Sequence, residues 1–398
     1  MSHSARNPSA RRDLLLVVSG VGVSVFGTWL TTLTLLLSLS AHGPFAVALV
    51  LAAELVPVAF GAPVVGLLVD RLPNRKLLIG AQLVQAGAVA ALIPALGNVP
   101  LSVLIAFCYG FGTAVTKPAA NALLPRITGE GNETRGYAAW GTASTIGMLL
   151  GSALGGVLIT EAGPTVALLV DVATLVFQAV LLMFVRAERD PRLSPQRRAR
   201  GAAAAGLRHL RADTVLVAVA SGGAVVLLAS VLVNVVQVFY ATDVLLAGGV
   251  VLGVMTACWG AGKLVANRIA ARLTGERALL RMLGAGGVLL GVALIVAGVL
   301  PHVVVACLMW AVAGAASGFQ SLSIQALTAL RSPDELRGRV FAAVSAVMTT
   351  SNLLGTVAGA GVVAVLGPKW TLVCGGVLAL VAAVLTHRVA TRRTARVD

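Results

Sequence analysis

The chain has 398 residues, of which 58% are hydrophobic and only 11% charged, with a mean hydropathy of +0.94. A soluble domain carries about 25% charged residues, and no water-soluble fold of this length hides so much apolar surface. The formal charge of +15 would suit a nucleic-acid partner if it were clustered, but the basic residues fall between apolar runs. Cys108, Cys258, Cys307 and Cys374 lie inside such runs without CxxC or metal-ligand spacing and read as packing residues. His3, His42, His209, His302 and His387 are scattered, with no HExxH arrangement, so no metal and no cofactor are expected.

A bilayer core takes about 20 apolar residues per helix. The chain supplies twelve such spans, at 14–38, 44–68, 77–96, 100–122, 139–160, 165–185, 214–240, 249–267, 279–299, 303–328, 340–364 and 370–387. Span 1 follows Arg11, Arg12 and Asp13, is longer than a signal-peptide core and is expected to be retained; Ser24, Thr28 and Thr31 form a polar stripe along it. Span 2 carries Glu54, ten residues in and so about 15 Å deep at 1.5 Å per residue, with Pro57 and Gly61 on the same face. An acid at a helix centre costs about 2.5–3.5 kcal/mol, which makes Glu54 the first candidate for a group that gains and loses a proton. Leaving span 2, the chain reads Gly66-Leu-Leu-Val-Asp70-Arg71-Leu-Pro-Asn-Arg75-Lys76. Here Gly66 would let helices approach closely, Asp70 would accept hydrogen bonds, and the basic residues would hold the loop at the membrane surface.

Span 4 has the stripe Tyr109, Thr113 and Thr116, then Lys117, and ends in Asn121-Ala-Leu-Leu-Pro125. Span 5 contains Gly147, Gly151, Ser152, Gly155 and Gly156, small residues at the four-residue spacing that packs helices backbone to backbone. Span 6 places Asp171 nearer its outer end, aligned with Thr174 and Gln178, where an acid can reach interfacial water. The polar, Arg-rich stretch 186–213 then divides the chain into halves 1–185 and 214–398 and reads as a linker with a short amphipathic helix near Ala202–Arg211.

Span 7 carries Ser230, Asn234 and Gln237; span 10 carries Ser317, Gln320 and Ser321; span 11 carries Ser345, Thr349, Asn352 and Thr356. Spans 9 and 12 are almost wholly apolar, as lipid-facing helices should be. Lys117 and Lys263 are close enough to the inner surface to snorkel. Gly260-Ala-Gly262-Lys263-Leu264 echoes a phosphate loop but lacks its first Gly and its Ser/Thr, so no nucleotide is expected. The loop after span 8, Asn267-Arg268 with Arg272, has no acid to match Asp70.

Two patterns tie these elements together. At an offset of 204 residues Arg135, Tyr137, Ala138 and Ala139 align with Arg339, Phe341, Ala342 and Ala343, and Gly151 and Gly155 with Gly355 and Gly359, as in parallel repeats. With the N-terminus inside, all of the 30 Lys and Arg except Lys117, Lys263 and Lys369 lie in cytoplasmic segments, and only Lys369 falls at the outer face. Both termini are therefore expected in the cytoplasm of a cell-membrane protein, with the excess charge explained by topology and anionic lipid.

The Gly66–Lys76 loop resembles the loop signature of the major facilitator superfamily, and the span 5 glycines are similar to the GxxxGPxxGG signature of its proton-driven drug antiporters, with Ser152 in place of proline. Together with Asn121–Pro125 and Asp334-Glu-Leu-Arg337-Gly-Arg339-Val, the chain resembles the branch that exports macrolides, tetracyclines and enterobactin-type siderophores. That resemblance implies an all-α polytopic membrane protein of two pseudo-symmetric six-helix halves, not an enzyme, whose helices 1, 4, 7 and 10 surround a central site. The implied work is proton-coupled efflux of an amphipathic small molecule by alternating access; a proton-coupled importer of the same fold is the alternative. The expected partners are the substrate, protons and the lipid bilayer, with no nucleic acid, and a monomer. Glu54 and Asp171 are the expected proton-coupling residues. Gly66, Asp70, Arg71, Arg75 and Lys76 form the expected inner gate. The polar stripes, with Ser24, Thr28, Thr31, Tyr109, Thr113, Thr116, Asn234, Gln237, Gln320, Thr349 and Asn352, are the expected cavity lining.

The topology is directly testable. Accessibility tags at the N-terminus, beside Arg198 and at the C-terminus should all report the cytoplasm, and an external signal from any one of them would break the twelve-span reading.

Overall fold

In a computed structural model of the chain the described residues are 8–129, 133–186, 202–270, 275–333 and 336–394. Among them there is no strand. The helices are α1 (Pro8–Ser40), α2 (Pro44–Phe60), α3 (Ala62–Arg71), α4 (Asn74–Ala95), α5 (Val99–Thr128), α6 (Glu133–Ala162), α7 (Pro164–Met183) and α8 (Ala202–Ala212). They continue with α9 (Thr214–Phe239), α10 (Gly249–Ala270), α11 (Glu276–Val299), α12 (Val303–Leu330) and α13 (Arg337–Thr394). Among the described residues ten helices are long and apolar enough to cross a membrane. Span 2 is built from α2 and α3 together, and α13 contains both span 11 and span 12, which brings the architecture to the twelve spans read from the sequence.

Both departures from one helix per span have a local cause. Pro57 removes one rung of the hydrogen-bond ladder of α2, and the helix closes at its C-cap Gly61, whose amide completes the last rung to the Pro57 carbonyl at 2.8 Å. A Cβ at position 61 would strike that carbonyl, so the break depends on glycine. In α13 the axis breaks at Gly367, whose φ of 73° lies in the left-handed region that side chains disfavour, with Pro368 next in line. A single π-helical turn, Tyr240–Val244, closes span 7. Beneath it the Tyr240 hydroxyl donates to the Ala297 carbonyl at 2.5 Å and the ring stacks on Trp310 at 5.8 Å.

The chain divides into two compact units, Met1–Gln196 with Gly248–Gly253, and Arg197–Ala247 with Val254–Asp398. In the first, α1 packs on α6 and α7, α4 on α5 and α7, and α2 on α5. In the second, α13 packs on α9 and α11, α11 on α12, and α8 on α13 and α9. The seams repeat. A Cβ at Gly147 or Gly151 would collide with the backbone of Gly22 or Phe26 on α1, and Gly155 faces Leu30. In the second unit Gly355 meets Leu228 and Val231 of α9, and Gly359 meets Leu232. Small residues at four-residue spacing thus bring the same pair of helices to backbone contact in each unit.

Each unit is also tied at one end by charge. Asp13, buried at the start of α1, accepts the Arg186 amide at 2.9 Å, and Arg75 at the start of α4 donates to the Val185 carbonyl at 2.7 Å. In the second unit Asp213 caps α9, accepting the Val215 and Leu216 amides at 2.9 and 3.1 Å. Arg331, at the end of α12, donates to Asp213 at 2.7 Å and to Glu276 of α11 at 2.5 Å. His209 of α8 bonds the Arg331 carbonyl at 3.1 Å. One guanidinium therefore ties the ends of three helices. Partial burial works to raise the Asp213 carboxyl, but the Arg331 hydrogen bond, the Leu216 amide, the Arg331 charge and the Val215 amide together hold it below the ordinary value. Partial burial likewise opposes the charge on Arg331, which Asp213 and Glu276 outweigh.

Replacing Asp213 by alanine removes a cap and half of an ion pair and should cost about 1–2 kcal/mol, read as a lower unfolding temperature in detergent. Because the folded-state carboxyl is held down, its ionic contribution is complete above the unfolded value of about 3.9. It disappears as pH falls through the folded one. The gap between wild type and Asp213→Ala should accordingly narrow below about pH 4.

Candidate functional site

Among the described residues Asp171 is the most deeply placed acid of the first unit, with 0% of its surface exposed. The sequence placed it where a helix-end carboxyl reaches interfacial water. The structure corrects this, because α1 lies across it. Thr31 of α1 donates to Oδ2 at 2.5 Å, and Thr174, one turn further along α7, donates to Oδ1 at 3.1 Å and to the Asp171 carbonyl at 2.8 Å. The helices come together there because position 27 is glycine: a Cβ would meet the Asp171 carboxyl and the Thr174 hydroxyl.

Glu54 sits half-buried on α2. Its backbone lies against Gly110 of α5, where a Cβ would come within 2.8 Å of the Glu54 carbonyl carbon. The residue before that glycine, Tyr109, is 6% exposed and shares a hydrogen bond of 3.1 Å with Thr28 of α1. Tyr109 thus stands one residue from the crossing of α5 with the Glu54 backbone and is bonded to α1. The fold therefore gathers Glu54, Tyr109, Thr28, Thr31 and Asp171 from four helices, with Thr28 and Thr31 one turn apart on α1.

The remaining candidates of the first unit are mostly satisfied locally. Ser24 is buried and its carbonyl accepts the Thr28 hydroxyl at 3.0 Å; Thr116 donates to the Gly112 carbonyl at 3.0 Å; Thr113 donates to the Tyr109 carbonyl at 3.4 Å and accepts from Gln85 at 2.9 Å. Hydroxyls that bond back one turn meet the demand of an apolar surrounding without any partner helix. Lys117 is exposed.

In the second unit Gln237 is buried and Asn234 exposed. Gln320 lines a small pocket inside that unit, together with Gly222, Gly223, Leu283, Gly284 and Thr386. Thr349 donates to the Ser345 carbonyl, and the Asn352 carbonyl accepts Thr356, both at 2.9 Å.

The loop and span 5 motifs separate into parts. Among the described residues a Cβ at Gly66 meets nothing within 4 Å. Arg71 and Lys76 are exposed, Arg75 makes the tie to Val185, and the Asp70 side chain lies outside the described residues, as do 187–201 of the expected linker. Gly147, Gly151 and Gly155 face α1, whereas Gly156 turns onto the backbone of Gly249 within the first unit.

Sequence reasoning missed several polar residues. Asp13 and Asp213 stand at matching places, each just before the first span of its half, and that symmetry was the signal for them. Gln82 and Gln85, buried on α4, needed only the same stripe reading that was applied to other spans. Among the described residues no three His, Cys, Asp or Glu side chains gather to hold a metal.

Comparison with known proteins places this geometry. The family model for the Major Facilitator Superfamily matches residues 14–312 and 280–397. Macrolide efflux protein A of Streptococcus pyogenes is 23% identical over 348 residues, covering 82% of this chain and 83% of the relative. The uncharacterised MFS-type transporter YfiS of Bacillus subtilis (strain 168) is 26% identical over 405 residues, covering 93% of this chain and 92% of the relative. Among solved structures a mutant of the nucleoside transporter NupG superposes with a TM-score of 0.78 at 13% identity, over 95% of this chain and 99% of its own. A D-xylose–proton symporter gives 0.71 at 16% identity, over 94% and 96%. With its family matched along nearly the whole length and its twelve spans in place, the chain belongs to the Major Facilitator Superfamily and is a multi-pass membrane transporter of small molecules, not an enzyme.

Proposed function

We propose that the protein is a proton-coupled exporter of an amphipathic small molecule, of the macrolide, tetracycline or siderophore-like kind, and thereby a contributor to antibiotic resistance. The observation that carries this reading is the pair of carboxyls in the first unit, Glu54 half-buried and Asp171 sealed beneath hydroxyls of two helices. An antiporter needs a group that charges and discharges as access alternates, and acids inside membrane helices are functional by default. The direction is supported by the relatives named as macrolide efflux proteins. In this reading the protein is a monomer in the cell membrane with both termini in the cytoplasm. Residues 1–185 and 214–398 act as two halves joined by 186–213. The Gly66–Lys76 loop with Asp70 serves as the inner gate, and the span 5 glycines serve as the bearing on which α6 meets α1. Ser24, Thr28, Thr113, Thr116, Asn234, Gln237, Gln320, Thr349 and Asn352 supply the polar contacts to substrate.

A second reading, a proton-coupled importer, is favoured by the likeness to the D-xylose–proton symporter. A sugar site would want many fixed hydrogen-bonding groups. The hydroxyls of Thr116 and Thr349 donate instead to their own helices and keep only an acceptor oxygen to offer a substrate, which favours the exporter.

Purified protein in vesicles with an imposed pH gradient, tested with erythromycin and tetracycline as probes, decides between them. Wild type should move a probe against its gradient in exchange for protons and stop when a protonophore is added. Glu54→Gln should lose uphill transport by at least about tenfold, equivalent to about 1.4 kcal/mol, while still binding the probe. Glu54→Asp should remain partly active with a displaced pH optimum. Full uphill transport by a correctly folded Glu54→Gln protein would remove Glu54 from the coupling mechanism.

A further inference from the structure

The Tyr109 phenol occupies a place that substrate contact alone does not explain. It is nearly sealed, its hydroxyl is already engaged with Thr28, and the next residue, Gly110, holds the Glu54 backbone against α5. On the other side, Thr28 shares its face of α1 with Thr31, whose hydroxyl bonds Asp171 at 2.5 Å. We infer that Tyr109 is a positioning residue that links Glu54 to Asp171 through the Thr28–Thr31 face of α1, so that the two acids take up protons as one coupled pair. The inference rests on the reading of both acids as proton carriers and deepens it.

The arrangement explains why two acids in different helices would act together. When Asp171 is charged, Thr31 must point its proton at Oδ2. When Asp171 is protonated, that demand vanishes and the α1 face is free to reorient. Thr28, one turn away, carries the change to the Tyr109 hydroxyl, and the next residue, Gly110, packs on the Glu54 backbone. A proton that leaves one carboxyl makes the next protonation of the other easier.

The helices packed around this cluster bring few competing groups. At their ends lie Arg11, Arg12 and Asp13 on α1, Asp70 and Arg71 on α3, and Arg75 and Lys76 on α4. On α5 are Cys108, Lys117 and Arg126, and on α6 Glu133, Arg135, Tyr137 and Glu161; α2 and α7 carry no acid or base beyond Glu54 and Asp171.

Infrared difference spectroscopy on the full-length protein in lipid, titrated from about pH 4 to 9 to span the carboxyl range, tests this without knowledge of the substrate. Glu54→Gln and Asp171→Asn assign the two protonated-carboxyl bands. In the otherwise wild-type protein Asp171→Asn should move the Glu54 midpoint by at least about half a pH unit, a threefold change in proton affinity. In the Tyr109→Phe background the same change should move it by less than a third as much, and Thr28→Val, which breaks the bond from the other side, should reproduce that loss. An equal shift with and without the tyrosine hydroxyl would overturn the link, as would a Glu54 band indifferent to Asp171 or the lack of a titrating band for either acid. The transport assay stands apart. If Glu54→Gln keeps uphill transport while the titration cycle behaves as expected, the acids are coupled to each other but not to transport. If Glu54→Gln stops transport and Tyr109→Phe leaves the cycle unchanged, the coupling reading survives and the tyrosine link does not.

Discussion

In a hydrocarbon slab a polar group without a partner costs several kcal/mol, because no water is at hand to complete its bonds. Among the described residues the polar side chains answer to that constraint in different ways. Most hydroxyls bond back to their own helix, as Thr32 does to Thr28 and Thr386 to Ala382. A few bond across helices, as Thr28 to Tyr109 and Gln85 to Thr113. Some buried atoms, the Thr34 and Ser323 hydroxyls and the Gln82 and Gln178 amide oxygens among them, have no hydrogen-bond partner. Asp171 takes two hydroxyls from two helices, and that shelter sets its carboxyl apart.

How close the helices come follows from the same constraint. Lipid tails are as apolar as leucine, so association is driven by contact and by hydrogen bonds. Glycine at 27, 110, 147 and 151 brings backbones to van der Waals contact, and the polar groups are carried in at those crossings. Gly27 and Gly110 use that closeness differently: the Asp171 carboxyl fills the gap left by the missing Cβ at 27, whereas at 110 the gap is filled by the Glu54 backbone. A methyl group added at 27 would displace the acid, and one added at 110 would displace the main chain of α2. Glycine here acts on chemistry as well as on packing.

The fold was legible because its signal is long and repeated. Twenty-residue apolar runs, charged punctuation and the 204-residue offset all point the same way, and none depends on contacts distant in sequence. The site was legible only in part. Glu54 and the hydroxyl stripes could be seen because a polar residue in an apolar run is conspicuous. What Asp171 touches was not, because its burial depends on α1 crossing over it at Gly27, a tertiary fact that depth along a helix cannot supply. Gly66 failed for the converse reason: its spacing suits close packing, but nothing in the spacing says whether a neighbour is there. Asp213 caps its own helix but also pairs with the distant Arg331, and Asp13 bonds the distant Arg186 amide; a hydropathy reading passes over both because they sit just outside the runs it measures.

The repeat also shows where symmetry stops. Glycine seams join α1 to α6 and α9 to α13 in the same way, and each unit has an aspartate at the foot of its first span. Yet at the repeat's offset the positions of Glu54 and Asp171 are occupied by Cys258 and Gly375. A carboxyl that gains or loses a proton changes its hydrogen bonds and its solvation, and a glycine or a thiol in an apolar run does neither at ordinary pH. The scaffold is therefore duplicated while this pair of carboxyls is not. In the proposed cycle a change in their protonation would alter the internal bonding of the first unit, and a difference of that kind between two states is what a two-state cycle requires before a proton can bias it.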